Sequence, residues 1–374
     1  MFKRIPFFNY PALFEHRREL YLERVTDVLQ RGAFIMQKDL EDFENNLSKH
    51  TGATHAIGVA DGTMALLMSL MAAGIGKEDE VIVPAHTFIA SAAAIHHVGA
   101  KPVLVDCGPD HLIDITSTSE ALTKKTKAIM PVQLNGRVVN MDPFLDLAKK
   151  EGLVIIEDSC QSLGASFKGK QAGTFGLAGT FSFFPAKTLG CFGDGGAIIT
   201  SDDEMAQKIR IIRDHGRDPE DGKVKVFGFN GRLDNLHAAI LDLKLKFYNE
   251  DVTRRREIAS IYQEKLGDLK ELDLPPAPNS QPEHFDVFQN YEIQANDRND
   301  LRDFLANQGI ETILQWGGYT INHFEQLGYQ KDLPQTDKLA KRFIMLPMHP
   351  LLTNEEVHYI SKNIINFYKY SKTN

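Results

Sequence analysis

Cysteine is scarce: Cys107, Cys160 and Cys191 are the only three in 374 residues, far apart and without a C-x-x-C spacing. That pattern argues against a disulfide framework or a cysteine-based zinc site; no metal is expected, and a reducing, cytoplasmic compartment is. No Gly-x-Gly-x-x-Gly follows the first strand-like run, which removes a dinucleotide-binding enzyme from consideration. The opening residues, Met1-Phe-Lys-Arg-Ile-Pro6, hold no long apolar region, so no secretory leader is expected. Internal repeats and low-complexity tracts are lacking. So is an excess of basic charge: 42 Lys and Arg stand against 50 Asp and Glu, a formal net charge of −8. Neither nucleic acid nor an anionic membrane is an expected partner, and the basic triplet Arg254-Arg255-Arg256 reads as a local, solvated helix face. One stretch, residues 81–100, lacks every charged side chain and is long enough to cross a bilayer. Pro84, His86, Thr87, Ser91, His96 and His97 interrupt it, and a buried strand, a turn and a small-residue helix is the better reading.

What is present fits a large soluble enzyme. The length suits a large domain with a smaller one attached. Residues 13–31 and 39–49 have the periodicity of amphipathic helices. Short apolar strands then alternate with helices: strands at 55–59, 80–83, 101–105, 127–132 and 153–156, helices at 62–73, 87–98 and 142–151. Such alternation predicts an α/β fold, with a mainly parallel, doubly wound sheet that binds ligands at the carboxyl ends of its strands. Two more strands, 179–184 and 197–200, flank a loop. A helix covers 202–214, and 233–266 reads as one long helix leaving the large domain. The expected division is a large domain over 1–250 and a small α+β domain over 251–374.

Chemistry concentrates in Thr180-Phe-Ser-Phe-Phe-Pro-Ala-Lys187 and in Glu157-Asp-Ser-Cys-Gln161. Lys187 ends an apolar run and is followed by the glycine turn Gly193-Asp-Gly-Gly196. Asp158 closes an apolar strand, where an unpaired charge is costly and a partner is required. A buried lysine, a buried aspartate and the nearby Ser182 hydroxyl are the minimum kit for pyridoxal phosphate. The lysine amine bonds to the aldehyde of the cofactor, and the aspartate keeps its ring nitrogen protonated. Gly62 and Thr63 open a helix directly after a strand, a ready anion site for the phosphate.

These blocks, with Asp61-Gly-Thr-Met-Ala-Leu66, Asp79-Glu-Val-Ile-Val-Pro84, Thr87-Phe88, His215-Gly216 and Gly228-Phe-Asn-Gly-Arg-Leu-Asp234, resemble the DegT/DnrJ/EryC1/StrS family of sugar aminotransferases. The resemblance spans nearly the whole chain. It implies the aspartate-aminotransferase type of fold, Lys187 as the catalytic lysine, and Asp158 on the ring nitrogen. It further implies Gln161 near the ring hydroxyl, Ser182 on the phosphate and Phe88 stacked on the ring. Asn230 would reach the phosphate of a neighbouring subunit, which makes a homodimer with shared active sites.

The implied reaction moves an amino group from L-glutamate to a nucleotide-linked keto sugar, at C3 or C4, for amino-sugar, surface-polysaccharide (lipopolysaccharide O-antigen) or metabolite synthesis. Pro131-Val-Gln-Leu-Asn-Gly136 departs from the family's usual wording. Gln133 and Asn135 there, with His86 and the cap residues Gln315 and Trp316, are candidate substrate contacts. An inosose aminotransferase or a catalytically idle regulatory relative are the alternatives. A pyridoxamine-dependent dehydrase would carry His where Lys187 stands.

Overall fold

A computed structural model describes residues 4–371. Helices α1 (Tyr10–Glu15), α2 (Arg18–Arg31) and α3 (Lys38–Thr51) precede the sheet. On α3 the buried Leu40, Phe43, Leu47 and Thr51 form one stripe at helical spacing, which faces the core. Then β1 (His55–Val59), α4 (Gly62–Ala72), β2 (Glu80–Pro84), α5 (Ile89–His97), β3 (Lys101–Val105), α6 (Ile115–Glu120), β4 (Thr126–Ile129), α7 (Asp142–Glu151) and β5 (Val154–Asp158) alternate. A small hairpin, β6 (Ser166–Phe167) and β7 (Lys170–Gln171), leads to β8 (Ala178–Ser182) and β9 (Gly196–Thr200). Seven of these strands form one sheet in the order β1-β9-β8-β5-β4-β2-β3. β8, β5, β4, β2 and β3 run parallel; β9 is antiparallel to both of its neighbours. Helices cover the sheet, so β2 and β9 are buried at every position, which explains the apolar runs Val81–Val83 and Ala197–Ile199 within them.

After α8 (Asp203–Arg213), α9 (Asn235–Leu245) and α10 (Tyr248–Leu266), the chain forms a second unit. Its sheet pairs β10 (Leu272–Asp273) with β12 (Tyr291–Ala295) and β12 with β13 (Phe343–Leu346), while β11 (His284–Phe285) adds to the β6–β7 hairpin of the large unit. Helices α11 (Arg298–Asn307), α12 (Pro334–Ala340) and α13 (Asn354–Ser371) complete it. Among the described residues no helix is long and apolar enough to cross a membrane, and 81–100 is β2, a turn and α5.

The two hydrophobic cores meet inside α10. Tyr248 and Val252 belong to the large one, Ile258, Ala259, Tyr262 and Leu266 to the small one. The boundary expected at 250 therefore falls within a shared helix, and Ile5, from the N-terminal segment, is packed in the small core.

Two helix expectations need correction. Residues 13–31 break at His16–Arg17, and 233–266 break at Lys246–Phe247, although neither site has Gly or Pro. Both breaks serve one contact: the Arg17 guanidinium lies 4.3 Å from the centre of the Phe247 ring and 3.4 Å from Asp251. Tertiary attraction overrides helix propensity there.

The basic triplet is not a solvated face either. Arg255 is buried, and its Nη1 donates to the carbonyls of Phe288 (3.1 Å), Gln289 (3.0 Å) and Met348 (3.0 Å). Arg254 and Arg256 donate to the carbonyls of Leu352 and Asp286, both at 2.6 Å. Burial pushes the Arg255 guanidinium down to about 10, still charged at neutral pH. Arg255→Met leaves three carbonyls without that donor. At about 1–3 kcal/mol for a buried unsatisfied group, it is expected to destabilise the protein by about 3 kcal/mol or more, read by urea unfolding; a loss within experimental error would refute the clamp.

Candidate active site

The strand ends of the parallel sheet bring the predicted residues to one edge. β5 ends in Glu157-Asp158, and successive strand side chains face opposite sides. Glu157 is fully buried on one side, where its carboxylate accepts from the amides of Gly173 (2.9 Å), Phe175 (2.6 Å) and Gly176 (3.0 Å) and from Gln133 Nε2 (3.0 Å). Burial raises its pKa against those hydrogen bonds. Asp158, on the opposite side, is also buried but keeps separate partners. Its Oδ2 accepts from Ser91 Oγ at 2.7 Å, Ser91 meets Thr87 Oγ1 at 2.8 Å, and Oδ1 accepts the Cys160 amide at 3.2 Å. The serine and threonine that interrupt the uncharged stretch thus hold this carboxylate in place.

Lys187 lies on the loop between β8 and β9. It lines one narrow cleft with Cys160, Gln161, Ser182 and Gln289. Burial lowers its amine below the ordinary value, against the opposing pull of Cys160 and Asp158. A neutral amine is the form that attacks a carbonyl carbon. Gln289, unanticipated from sequence, fastens the loop. Its Oε1 accepts from the Thr188 amide (2.5 Å) and hydroxyl (2.8 Å), and its Nε2 donates to the Ala186 carbonyl (2.8 Å). It rides on the segment that Arg255 clamps.

The start of α4 provides the anion site. Asp61 caps the helix by accepting the Met64 amide at 2.8 Å, which leaves the amides of Gly62 and Thr63 in the unpartnered first turn. A Cβ on Gly62 would sit 2.8 Å from Ser182 Cβ, so the helix start and Ser182 share one wall. A Cβ on Gly196 would collide with the Asp61 backbone, which is why the turn after Lys187 is glycine-rich. Together these donors fit pyridoxal phosphate. Gly62, Thr63 and Ser182 would hold the phosphate, Asp158 the ring nitrogen, and Lys187 the aldehyde carbon. Phe88 caps α5 with a half-exposed ring.

The other candidates divide. Gln161 Oε1 accepts the Asn135 amide at 2.8 Å, and Asn135 Oδ1 accepts from Asn290 Nδ2 (2.9 Å) and Gln315 Nε2 (2.6 Å). The Trp316 ring lies 5.2 Å from that of His86. His86, Asn135, Gln315 and Trp316 therefore gather in one connected group, with His86 and Gln315 buried beneath it. Gln133 does not: it is buried, donates to Glu157, and accepts the Val139 amide at 2.8 Å, which occupies it structurally. Asn230 is exposed, forms a bridge with Asp214, and shares no hydrogen bond with this group. Asn290 and Glu292, near Asn135 and Gln315, carried no sequence signal beyond being polar next to apolar strand residues.

A half-buried lysine, a buried aspartate at a strand end and a helix start with free amides fit a pyridoxal-phosphate enzyme of the aspartate-aminotransferase fold. The model of the DegT/DnrJ/EryC1/StrS aminotransferase family matches residues 15–365, and the chain belongs to that family. A "Pleiotropic regulatory protein" of Geobacillus stearothermophilus is 38% identical over 98% of this chain and 99% of its own. The UDP-2-acetamido-2-deoxy-3-oxo-D-glucuronate aminotransferase of Pseudomonas aeruginosa is 37% identical over 91% and 93%. Among solved structures, DesV of S. venezuelae in complex with a ketimine intermediate superposes with a TM-score of 0.93 at 32% identity, covering 97% of this chain and 98% of that one. NtdA of Bacillus subtilis with bound cofactor PMP gives 0.91 at 30% identity over 99% and 86%. The enzyme is a sugar aminotransferase, and its cofactor is pyridoxal phosphate.

Lys187→Ala is expected to lower turnover at least about 10⁴-fold, the upper range for a positioned acid–base group, while the cofactor still binds without a covalent link. Substantial residual turnover would refute the role. The lowered amine also predicts a pH effect on the apoprotein. Between the folded pKa and the ordinary 10.5 the unfolded chain holds more protons, so stability rises with pH across that window. Urea midpoints measured against pH are expected to show that rise in the parent and not in Lys187→Met.

Proposed function

We propose that the protein transfers an amino group from L-glutamate to C3 of a keto hexose carried on a nucleoside diphosphate, and that the product feeds a surface polysaccharide or a glycosylated metabolite. The observation that carries the reading is Lys187 in one narrow cleft with Ser182, which abuts the start of α4, and with Asp158 near enough to act on the lysine amine. The activity named for the Pseudomonas relative, on a UDP-linked 3-oxo sugar, supports the acceptor class and the position.

Pyridoxal phosphate, when bound, supplies an electron sink for the carbon that loses its proton. The chain's own residues do the rest. Lys187 Nζ takes the proton from the donor's α-carbon and returns one to the acceptor. Asp158, fixed by Ser91, holds a positive charge on the ring nitrogen. Gln289 keeps the lysine loop in register. Asn135 and Trp316, backed by the buried Gln315 and His86, form the polar and aromatic surface that would meet the sugar.

A homodimer completes the site. Phe227 is 97% exposed, with Val224 and Val226 also exposed beside it, on the same loop as Asn230. An apolar loop of this kind is a surface a second copy would cover, and it would carry Asn230 to the neighbouring phosphate site. Three free cysteines are in keeping with a cytoplasmic location.

A regulatory role is the second reading, favoured by the name of the Geobacillus relative. The absorbance spectrum with pyridoxal phosphate separates them. The proposal predicts a visible band that L-glutamate moves to the shorter wavelength of the amine form of the cofactor. Asp158→Asn is expected to slow that conversion by about 10²–10³-fold, the scale of losing one preorganised electrostatic contact. A band that ignores glutamate would overturn the donor, and no band would favour the regulatory reading.

A further inference from the structure

His86, His111 and Glu292 stand far apart in the chain and converge between the two cores. His86 follows β2, His111 lies on the loop after β3 with φ +69°, and Glu292 is on β12. Along β12, Tyr291 and Ile293 point into the small core, so Glu292 and Gln294 share the opposite face, toward the large unit. Glu292 Oε1 lies 2.7 Å from His111 Nδ1 and 3.5 Å from His86 Nε2. One ligand atom from each residue falls within 4.8 Å of the others.

Two features mark this cluster as more than a hydrogen-bonded joint. His86 is 1% exposed, yet among the described residues neither ring nitrogen makes a hydrogen bond, the 3.5 Å approach of Nε2 to Glu292 being its one ion-pair contact. Buried polar atoms are rarely left that way. Glu292 is a carboxylate 2% exposed, and among the described residues its ion-pair partners are only these two histidines, with no Lys or Arg. A buried carboxylate without a full cation is costly.

We propose that His86, His111 and Glu292 bind one divalent transition-metal ion of the zinc class, which ties the loops after β2 and β3 to β12. Two imidazoles and a carboxylate suit such an ion, with ligand distances of about 2.0–2.2 Å; small side-chain rotations from the present positions would bring the three donors onto it. Outer partners are already in place. Gln294 Nε2 is 2.6 Å from His111 Nε2, and with that amide turned over its oxygen accepts the Nε2 proton and frees Nδ1 for the metal. Gln315 Nε2 donates to Glu292 Oε2 at 2.6 Å and so fixes the second carboxylate oxygen. The remaining coordination position faces a cavity of about 290 Å³ that His111, Glu292, Asn135 and Asn290 border, where a water or a ligand oxygen would complete it. Because Gln315 also holds Asn135, the ion would stiffen the amide chain that ends on Gln161.

The test uses the cofactor-loaded protein, stripped with a chelator and titrated with Zn(II) against a competing chelating dye. Cofactor loading is read separately from its own absorbance, so failure of the metal site and failure of the transaminase reading are distinguishable. One equivalent per chain and a raised melting temperature are expected. His86→Gln should abolish both, and Gln294→Leu should weaken binding by about 10–100-fold. His111→Gln, on the cavity rim, carries the same expectation if His86→Gln does not fold. No stoichiometric binding, or binding equally strong in the histidine variants, overturns the proposal and leaves the cluster a hydrogen-bonded joint.

Discussion

The structure depends on holding an amine and a carboxylate, Lys187 and the buried Asp158, largely out of solvent near one edge of the sheet. Desolvation opposes the charge on both. At Lys187 that penalty is useful, since it favours the neutral, nucleophilic amine. At Asp158 it is a cost, and the protein offsets it with hydroxyl and amide donors: Ser91 on one oxygen, the Cys160 amide on the other. A parallel sheet provides for both at once. Its strand ends all open on one edge, where helix starts offer unpaired amides and loops can carry side chains over the opening.

The neighbouring carboxylate shows how local geometry divides two chemically equal residues. Glu157 and Asp158 are adjacent, and strand alternation sends them to opposite faces. Glu157 is spent on the backbone of the loop at 173–176, and only Asp158 is left for a ligand. The second unit then takes part in the site through polar groups as well as apolar packing. Arg255 clamps the carbonyls of Phe288 and Gln289, Gln289 fastens the lysine loop, and Glu292 reaches back to His111. A shift of the small unit would therefore be felt at Lys187.

Much of this was legible in the sequence because it rests on short-range signals. Apolar strands alternating with helices announced the sheet, and the runs around Asp158 and Lys187 pointed to the strand ends where the candidate site lies. What escaped was set by contacts distant in sequence. The breaks at Arg17 and Phe247 arise from a cation over a ring, with no Gly or Pro to announce them. Arg255 reads as one of three surface cations until the carbonyls it binds, more than thirty residues away, are seen. Gln133 and Asn135 look equivalent in the same loop, yet one turns inward to Glu157 and the other outward to Gln315. His86, His111 and Glu292 have no spacing in common, so nothing along the chain hints that they meet.

The central claim is that Lys187, among all the lysines of the chain, is the amine that bonds to the cofactor. Borohydride reduction of the loaded enzyme would make that bond permanent, and peptide mass mapping would locate it. The account predicts the pyridoxyl group on Lys187 at one per chain. A label on another lysine, or spread across several, would contradict it.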